Sequence, residues 1–366
     1  MTVRGAETKD APKYDDVARE YDAILFMSFG GPEKPEDVVP FLENVTRGRG
    51  IPKDRLVEVG EHYYQFGGKS PINEQNLALI EALKEELAEN GPDLPIYFGN
   101  RNWYPFMTDT MQQMKDDGVK RAIAFFTSSF SSYSGCRQYR EDIMQAQAAV
   151  GDGAPEVDKL RVFYNHPGFI NPTVDNIRTA LAEWPENERE NVRIVFTAHS
   201  LPMGQARNSA YEEQIKEACR IIAEILGTEA PVLVYQSRSG PPQMPWLEPD
   251  IIDYMEEIHE QGINDIIIMP IGFISAHMEV IFDLDTQAAE KAKELGMKMV
   301  RAKTAATAKS FVQMIRELII ERMTENPERI ALGQFEANHD ICPIDCCLAG
   351  ERPKHPHQTM SEATGD

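Results

Sequence analysis

The sequence has no excess of basic residues, no long apolar run and few cysteines, and each absence narrows what it can do. Lys and Arg total 37 against 59 Asp and Glu, a net charge of −22 over 366 residues. So acidic a surface repels phosphate backbones and anionic lipid, which argues against nucleic-acid and peripheral membrane binding, while metal cations are tolerated or attracted. No apolar stretch approaches the ~18 residues needed to span a bilayer. Residues 1–20 lack the apolar centre of a signal peptide and are rich in acids. They are expected to form a solvated, poorly ordered lead-in, and the cytoplasm is the expected location. Five cysteines make a disulfide framework a poor explanation. Neither Gly-x-Gly-x-x-Gly nor a P-loop lysine occurs, so nucleotide binding lacks its signatures.

What remains is ordinary globular composition, 42% hydrophobic and 26% charged, in a chain long enough for two domain-sized units. Short apolar runs alternate with helical patterns. Ala23–Ser28 reads as a strand entering the Phe29-Gly30-Gly31-Pro32 turn, followed by a helix over Glu36–Val45. Ser70 or Asn73 can cap a helix over Glu74–Asn90, and Pro95–Gly99 and Ala122–Thr127 flank a helix over Pro105–Asp117. The second half offers Arg161–Tyr164, Val192–Thr197, Val232–Tyr235 and Asp265–Pro270, separated by helical segments and closed by a helix over Ala308–Met323. Four strand candidates in the first half and five in the second predict an α/β protein. It has two similar doubly wound, Rossmann-like halves, each a parallel sheet flanked by helices, with a cleft between them. The expected units are residues 1–20, 21–165, 166–330 and a cysteine-containing tail, 331–366.

The run from Val192 stops at His199, Ser200 and Leu201, and Pro202 ends the strand. In open α/β sheets, ligands collect at the carboxyl ends of strands, so His199 is aimed at a cleft. A lone histidine there is as well explained by structure as by catalysis until partners are found. Glu279 and Asp283 follow the Asp265–Pro270 strand and, four apart, share one helical face. They reach the same sheet edge, although acids in a first helical turn also suit the helix dipole. Arg47 and Arg49 lie on a glycine-broken loop and could pair carboxylates. The hydroxyl-rich Ser128–Ser134 segment leads into Cys136, Arg137, Tyr139 and Arg140, a dense set for a flat acidic ligand.

Several stretches, in this order, resemble the ferrochelatase family: Arg47-Gly48-Arg49, Gly67-Gly68-Lys69-Ser70-Pro71, Thr197-Ala198-His199-Ser200-Leu201-Pro202, Gln236-Ser237-Arg238-Ser239-Gly240-Pro241-Pro242 with Pro245-Trp246-Leu247-Glu248-Pro249-Asp250, and Pro270 through Glu279. The resemblance runs from about Ala23 to Met323 and implies a chelatase-like fold. It implies a lyase inserting Fe²⁺ into a porphyrin with release of two protons. By motif match, His199 and Glu279 become a facing pair that handles the substrate iron and the pyrrole protons, with Asp283 as a relay. A neutral imidazole near physiological pH suits that role. Ser70 and Tyr139 match positions that hold the tetrapyrrole in coproporphyrin-using members, and Arg47 and Arg49 lie on the corresponding loop, from which one of them, Arg47 or Arg49, is expected to reach it. Phe29 stands where some relatives carry a tyrosine ligand to the product iron, which turns attention to Tyr63 and Tyr64. No apolar lip insertion of the membrane-associated members is present. Coproporphyrin III is therefore the expected substrate, with protoporphyrin IX the alternative. A non-catalytic porphyrin or haem carrier and a cobalt or nickel chelatase are the competing classes. The expected enzyme is a monomer working between upstream and downstream haem-pathway enzymes.

Cys219 lies inside a helical pattern and reads as a buried small residue. That leaves Cys136, Cys342, Cys346 and Cys347, the four thiolates a [2Fe–2S] cluster needs, and the tail resembles that of actinobacterial members carrying such a cluster. His339, His355 and His357 keep zinc open, and free thiols on a loose tail are the bland alternative.

Overall fold

A computed structural model describes residues 12–228, 231–240 and 243–350. Among these, eight strands form two parallel sheets of four. β1 (Ala23–Ser28), β2 (Ile96–Asn100), β3 (Arg121–Phe126) and β4 (Glu156–Lys159) stand in the order β2-β1-β3-β4. β5 (Arg193–His199), β6 (Val232–Gln236), β7 (Asp265–Met269) and β8 (Lys298–Arg301) repeat it as β6-β5-β7-β8. The second half thus holds four described strands, one fewer than expected. β1 is buried along its whole length because helices cover both faces of a parallel sheet, which is why its sequence is a continuous apolar run.

The helices of the first half are α1 (Val38–Val45), α2 (Lys53–Tyr64), α3 (Ile72–Asn90), α4 (Met107–Asp116) and α5 (Gln138–Val150), the last preceded by a π-helical turn at Tyr133–Arg137. The second half adds α6 (Pro167–Leu181), α7 (Met203–Ala206), α8 (Tyr211–Leu226), α9 (Ile251–Glu260), α10 (Met278–Val280), a π-helix at Ile281–Ala288, α11 (Ala289–Leu295) and α12 (Lys309–Met323). α12 packs on both α6 and α3, so the end of the second half closes over the first. Phe311, Ile315, Leu318 and Ile319 on its inner face are fully buried, stabilising the join by on the order of 2 kcal/mol each. Among the described residues no helix is long and apolar enough to cross a membrane.

Two expectations fail for identifiable reasons. Arg161–Tyr164 is not a strand; its buried Val162, Phe163 and Tyr164 fill the core shared by the two halves, where Phe163 stacks on Phe125 at 5.6 Å. Apolarity there records burial and not ladder pairing. The fourth strand is the polar Glu156–Lys159, whose Asp158 is held by Tyr21 (3.1 Å) and Arg121 (3.2 Å). The lead-in also fails from Pro12 onward. Asp15 is buried against Arg322 at 3.1 Å and bonded to Arg19, while Arg329 bridges Asp16 and Asp340 at 2.8 Å each. Residues 1–11 and 351–366, with His355 and His357, lie outside the described residues.

Among the described residues, 324–350 after α12 hold no helix but are tied to the core. The Asn165 side-chain amide donates to the carbonyls of Leu332, Phe335 and Glu336, and Arg161 donates to that of Ile330 at 3.0 Å.

Candidate functional site

β5 is central in its sheet, and its last residue, His199, pairs in register with Gln236 at the end of β6. The β7 exit loop crosses directly over this end, with Gly272 N–H donating to the Thr197 carbonyl at 3.1 Å. Only glycine permits the approach, since a Cβ at 272 would fall 2.8 Å from the Ala198 Cα. The loop then delivers His277, whose Nδ1 accepts the Glu279 N–H at 3.3 Å and caps α10. Glu279 Oε1 thereby stands 3.6 Å from His199 Nε2. Solvent still reaches 31% of the His199 side chain and 44% of Glu279, so the pair opens onto the space at the strand ends.

The other ring nitrogen fixes the tautomer. His199 Nδ1 lies 2.5 Å from the Ser200 carbonyl, which can only accept, so Nδ1 carries a proton and Nε2 is the face turned to Glu279. The Tyr211 hydroxyl donates to the His199 carbonyl at 3.0 Å and steadies the strand end. One turn beyond Glu279, Asp283 sits in a π-helix, a geometry often found at functional sites. Its carboxylate accepts from the Ser237 hydroxyl and, at 3.3 Å, from the Gln236 amide, which also donates to the Glu279 carbonyl at 2.8 Å. The sequence expectation was an ordinary helix with two acids on one face. The π-helix keeps both acids near the strand ends, and Gln236 and Ser237 are site residues that sequence reasoning quoted but gave no role.

The charges are strongly coupled. Burial works against the imidazolium, but the Glu279 carboxylate, its hydrogen bond and the Ser200 carbonyl prevail and raise His199 to about 9. Burial likewise acts to raise Glu279, yet the positive imidazole outweighs it and holds the carboxyl near about 2. Without a substrate cation the two therefore form an ion pair, not the neutral imidazole that the sequence reading supposed. Burial lifts Asp283 to about 6, with the Glu279 charge adding to it and the Ser237 and Gln236 hydrogen bonds opposing it. Burial keeps His277 below the ordinary histidine value.

The first half supplies the facing elements. His62 on α2 stacks on Phe282 of the π-helix at 3.9 Å, and Gln75 on α3 exchanges two hydrogen bonds of 2.9 Å with the Ala276 backbone. Tyr63 is close enough that burial and the Glu279 charge both push its phenol up. Tyr64 faces outward, 37% exposed, and Phe29 packs edge-on against Phe41.

The remaining expected site residues are carried by the first half. Ser70 is buried beneath Gly31, its hydroxyl accepting the Ile72 N–H at 3.4 Å; the residue at the cap of α3 is Pro71. Asn73 holds the Gly31 carbonyl at 3.1 Å instead of capping. Tyr139 is buried between Phe126, stacked at 5.0 Å, and the Arg101 guanidinium, 3.9 Å from its ring, with its hydroxyl bonded to Thr127. Arg47 is exposed and bonded to Asn44 at 2.5 Å. Among the described residues no hydrogen bond or ion pair joins Ser70, Tyr139 or Arg47 to His199, Glu279 or Asp283.

The cysteines do come together. Ser132 caps the π-turn that presents Cys136, accepting from Gly135 N–H at 2.8 Å. Arg137, next along, donates to the Ile344 and Cys346 carbonyls at 2.9 Å and draws the tail onto this turn. Cys136 and Cys342 are hydrogen-bonded, Cys346 Sγ lies 3.4 Å from Cys347 Sγ, and His339 Nε2 lies 3.7 Å from Cys346. The ligand atoms of His339, Cys342 and Cys346 fall within 4.8 Å of one another. Hydrogen bonds from Cys136 and Cys346, aided by nearby Lys159, pull the Cys342 thiol well down, towards the thiolate. Cys219 stays apart on α8, buried in the core.

Comparison with known proteins matches this architecture. The ferrochelatase family model covers residues 21–323. A ferrochelatase of Rhodopirellula baltica is 53% identical over 342 residues, spanning 91% of this chain and 97% of that one. A coproporphyrin III ferrochelatase of Streptomyces coelicolor is 49% identical, spanning 91% of this chain and 94% of that one. Among solved structures, SirB from Bacillus subtilis with Fe³⁺ superposes with a TM-score of 0.53 at 11% identity over 82% of this chain and 96% of that one, which speaks to the fold alone. With the motifs of His199, Gln236 and Glu279 meeting at one sheet edge and the family model matched over most of the length, the chain belongs to the ferrochelatase family.

Proposed function

We propose that this protein is a lyase that inserts Fe²⁺ into coproporphyrin III to give the iron porphyrin of haem biosynthesis, releasing two protons. The observation that carries the reading is the His199–Glu279 pair, 3.6 Å apart and open to solvent where β5 and β7 end. A porphyrin carrier has no need of an acid set against its histidine, whereas a chelatase needs one group for a cation and another for protons. The substrate assignment draws on the relatives named coproporphyrin III ferrochelatase and on the absence of an apolar lip insertion.

In the mechanism we assign, Glu279 receives the incoming Fe²⁺. The cation takes over the charge that held His199 near 9, so the imidazolium falls back towards its ordinary range, gives up its Nε2 proton to the solvent that reaches the pair, and the neutral Nε2 then accepts a pyrrole proton. Asp283, poised at about 6, holds and releases protons near neutral pH and passes them outward. Ser70, Tyr139 and Arg47 are assigned to the porphyrin side; Ser70 and Tyr139 are buried and Arg47 is exposed. We assign residues 21–165 and 166–330 to the two halves and 331–366 to the tail. We take the enzyme to be a cytoplasmic monomer that exchanges porphyrin with its pathway neighbours.

We also assign a [2Fe–2S] cluster to Cys136, Cys342, Cys346 and Cys347. The donor set fits, since four thiols converge, three of them buried and Cys346 partly so, and His339 adds a fifth candidate ligand. Bound there, the group would tie the tail to the turn after β3 and supply a one-electron couple. Equimolar iron and acid-labile sulfide in anaerobically purified protein support this, and zinc alone or no metal overturns it.

The activity test is anaerobic incubation with Fe²⁺ and either coproporphyrin III or protoporphyrin IX, followed by absorbance. Faster metallation of coproporphyrin III is expected. Faster metallation of protoporphyrin IX overturns the substrate assignment, and failure with both overturns the enzyme reading.

A further inference from the structure

Lys159 ends β4, only 2% exposed, at the turn that carries Cys136. A buried ammonium is costly unless an anion or several acceptors compensate it. Its Nζ has a single long hydrogen bond, 3.5 Å to the His339 carbonyl, and among the described residues it forms no ion pair with a carboxylate. The one acid that acts electrostatically on Lys159 among its main influences, Asp340, is already matched by Arg329 at 2.8 Å and Arg322 at 3.7 Å. What faces Lys159 are Cys136 and Cys342. Arg140, on the first turn of α5, acts electrostatically on Lys159 and on Cys347, and its Nε and Nη1 are buried with no hydrogen-bond partner. Two cations thus crowd one buried site and repel each other, a costly arrangement unless the site carries negative charge.

We propose that Lys159 and Arg140 are positioning residues whose charge offsets the anionic cysteine cluster, holding it in place and raising its reduction potential. The proposal rests on the cluster reading above. A tetrathiolate [2Fe–2S] centre is anionic when oxidised and gains a further negative charge on one-electron reduction, so nearby fixed positive charge favours the reduced form. The same charge explains why an acidic protein keeps two cations here, out of reach of its surface carboxylates.

The test uses the full-length protein purified anaerobically, with iron and sulfide content, the visible spectrum and a dithionite titration followed by electron paramagnetic resonance. Wild type without iron and sulfide overturns the cluster reading itself, before any variant is compared. In cluster-bearing protein, Lys159→Met is expected to lower the reduced-to-oxidised ratio about tenfold at the wild-type midpoint, ~59 mV for one electron. Arg140→Gln is expected to move it in the same direction, and Lys159→Arg to leave it within about twofold. The exposed Lys216→Met serves as the control for charge alone. An unchanged midpoint in Lys159→Met overturns the proposal. Cluster loss in Lys159→Met that Lys159→Arg restores supports it; loss in both variants marks a packing role and overturns it.

Discussion

His199 Nε2 faces Glu279 Oε1 at 3.6 Å, yet one side chain arrives at the end of strand β5 and the other on helix α10, and neither alone would stand out at its position. Their closeness converts two ordinary groups into a charged pair, with the histidine raised to about 9 and the acid held near about 2. The pair is therefore set to exchange its proton for a metal cation.

Removing the imidazole isolates its part. His199→Ala should reduce iron insertion by a factor on the order of 10²–10⁴, the usual worth of a positioned acid–base group. Porphyrin affinity, read by fluorescence quenching, should change by less than about threefold. Undiminished turnover would remove His199 from the mechanism.

The coupling has a pH signature with a definite sign. His199 is raised above its ordinary 6.5, so its stabilisation is complete below about 6.5 and disappears as pH climbs through about 9. Glu279 is depressed, so its contribution is present above about 4.5 and lost only as pH falls towards about 2. Thermal unfolding from pH 5 to 10 should show wild type losing more of its stability above pH 6.5 than Glu279→Gln does. An imidazole titration by NMR should fall from about 9 in that variant, since burial then works against the imidazolium without the Glu279 charge to oppose it; equal titrations would sever the link.

Asp283 should govern the acid side of the rate profile. Its value of about 6 predicts insertion rising as pH passes through 6, with the carboxylate as the working form. Ser237→Ala deletes a hydrogen bond that favours that carboxylate and should shift the acid limb to higher pH. Asp283→Asn should abolish the limb. A profile that stays put in both variants rules out the relay.

Gly272 is a test of geometry without charge. Gly272→Ala places a methyl 2.8 Å from the Ala198 backbone and must push the loop from the end of β5. A loss of about 1–3 kcal/mol is expected from overpacking, with turnover falling further than stability because Glu279 moves away from His199. Unaltered activity in chemical denaturation-checked protein would show that the loop has slack.

The parts legible in the sequence were those whose cause is local. Continuous apolar runs named β1, β3, β5, β6 and β7, because a strand covered on both faces has no polar side to alternate. Strand ends followed by proline or glycine pointed to His199 and to Glu279. The parts that were not legible depend on distant partners. β4 looks too polar to be a strand until Tyr21 and Arg121 appear beside Asp158. Residues 161–164 look like a strand until the second half of the chain covers them. The burial of Ser70 beneath Gly31 and of Tyr139 between Phe126 and Arg101 is visible only once the turns are folded. Residues 12–20 were read as solvated because their acids were counted without Arg322 and Arg329.

By itself, then, the sequence determined the two-sheet plan, the family and the identity of the facing pair, since hydrophobic periodicity, turn residues and motif order are properties of the chain. Tertiary structure decided the protonation of that pair, the π-helical setting of Asp283 and the company kept by the four cysteines. Those depend on Coulomb interactions and desolvation over a few ångströms, between groups that sequence order leaves far apart.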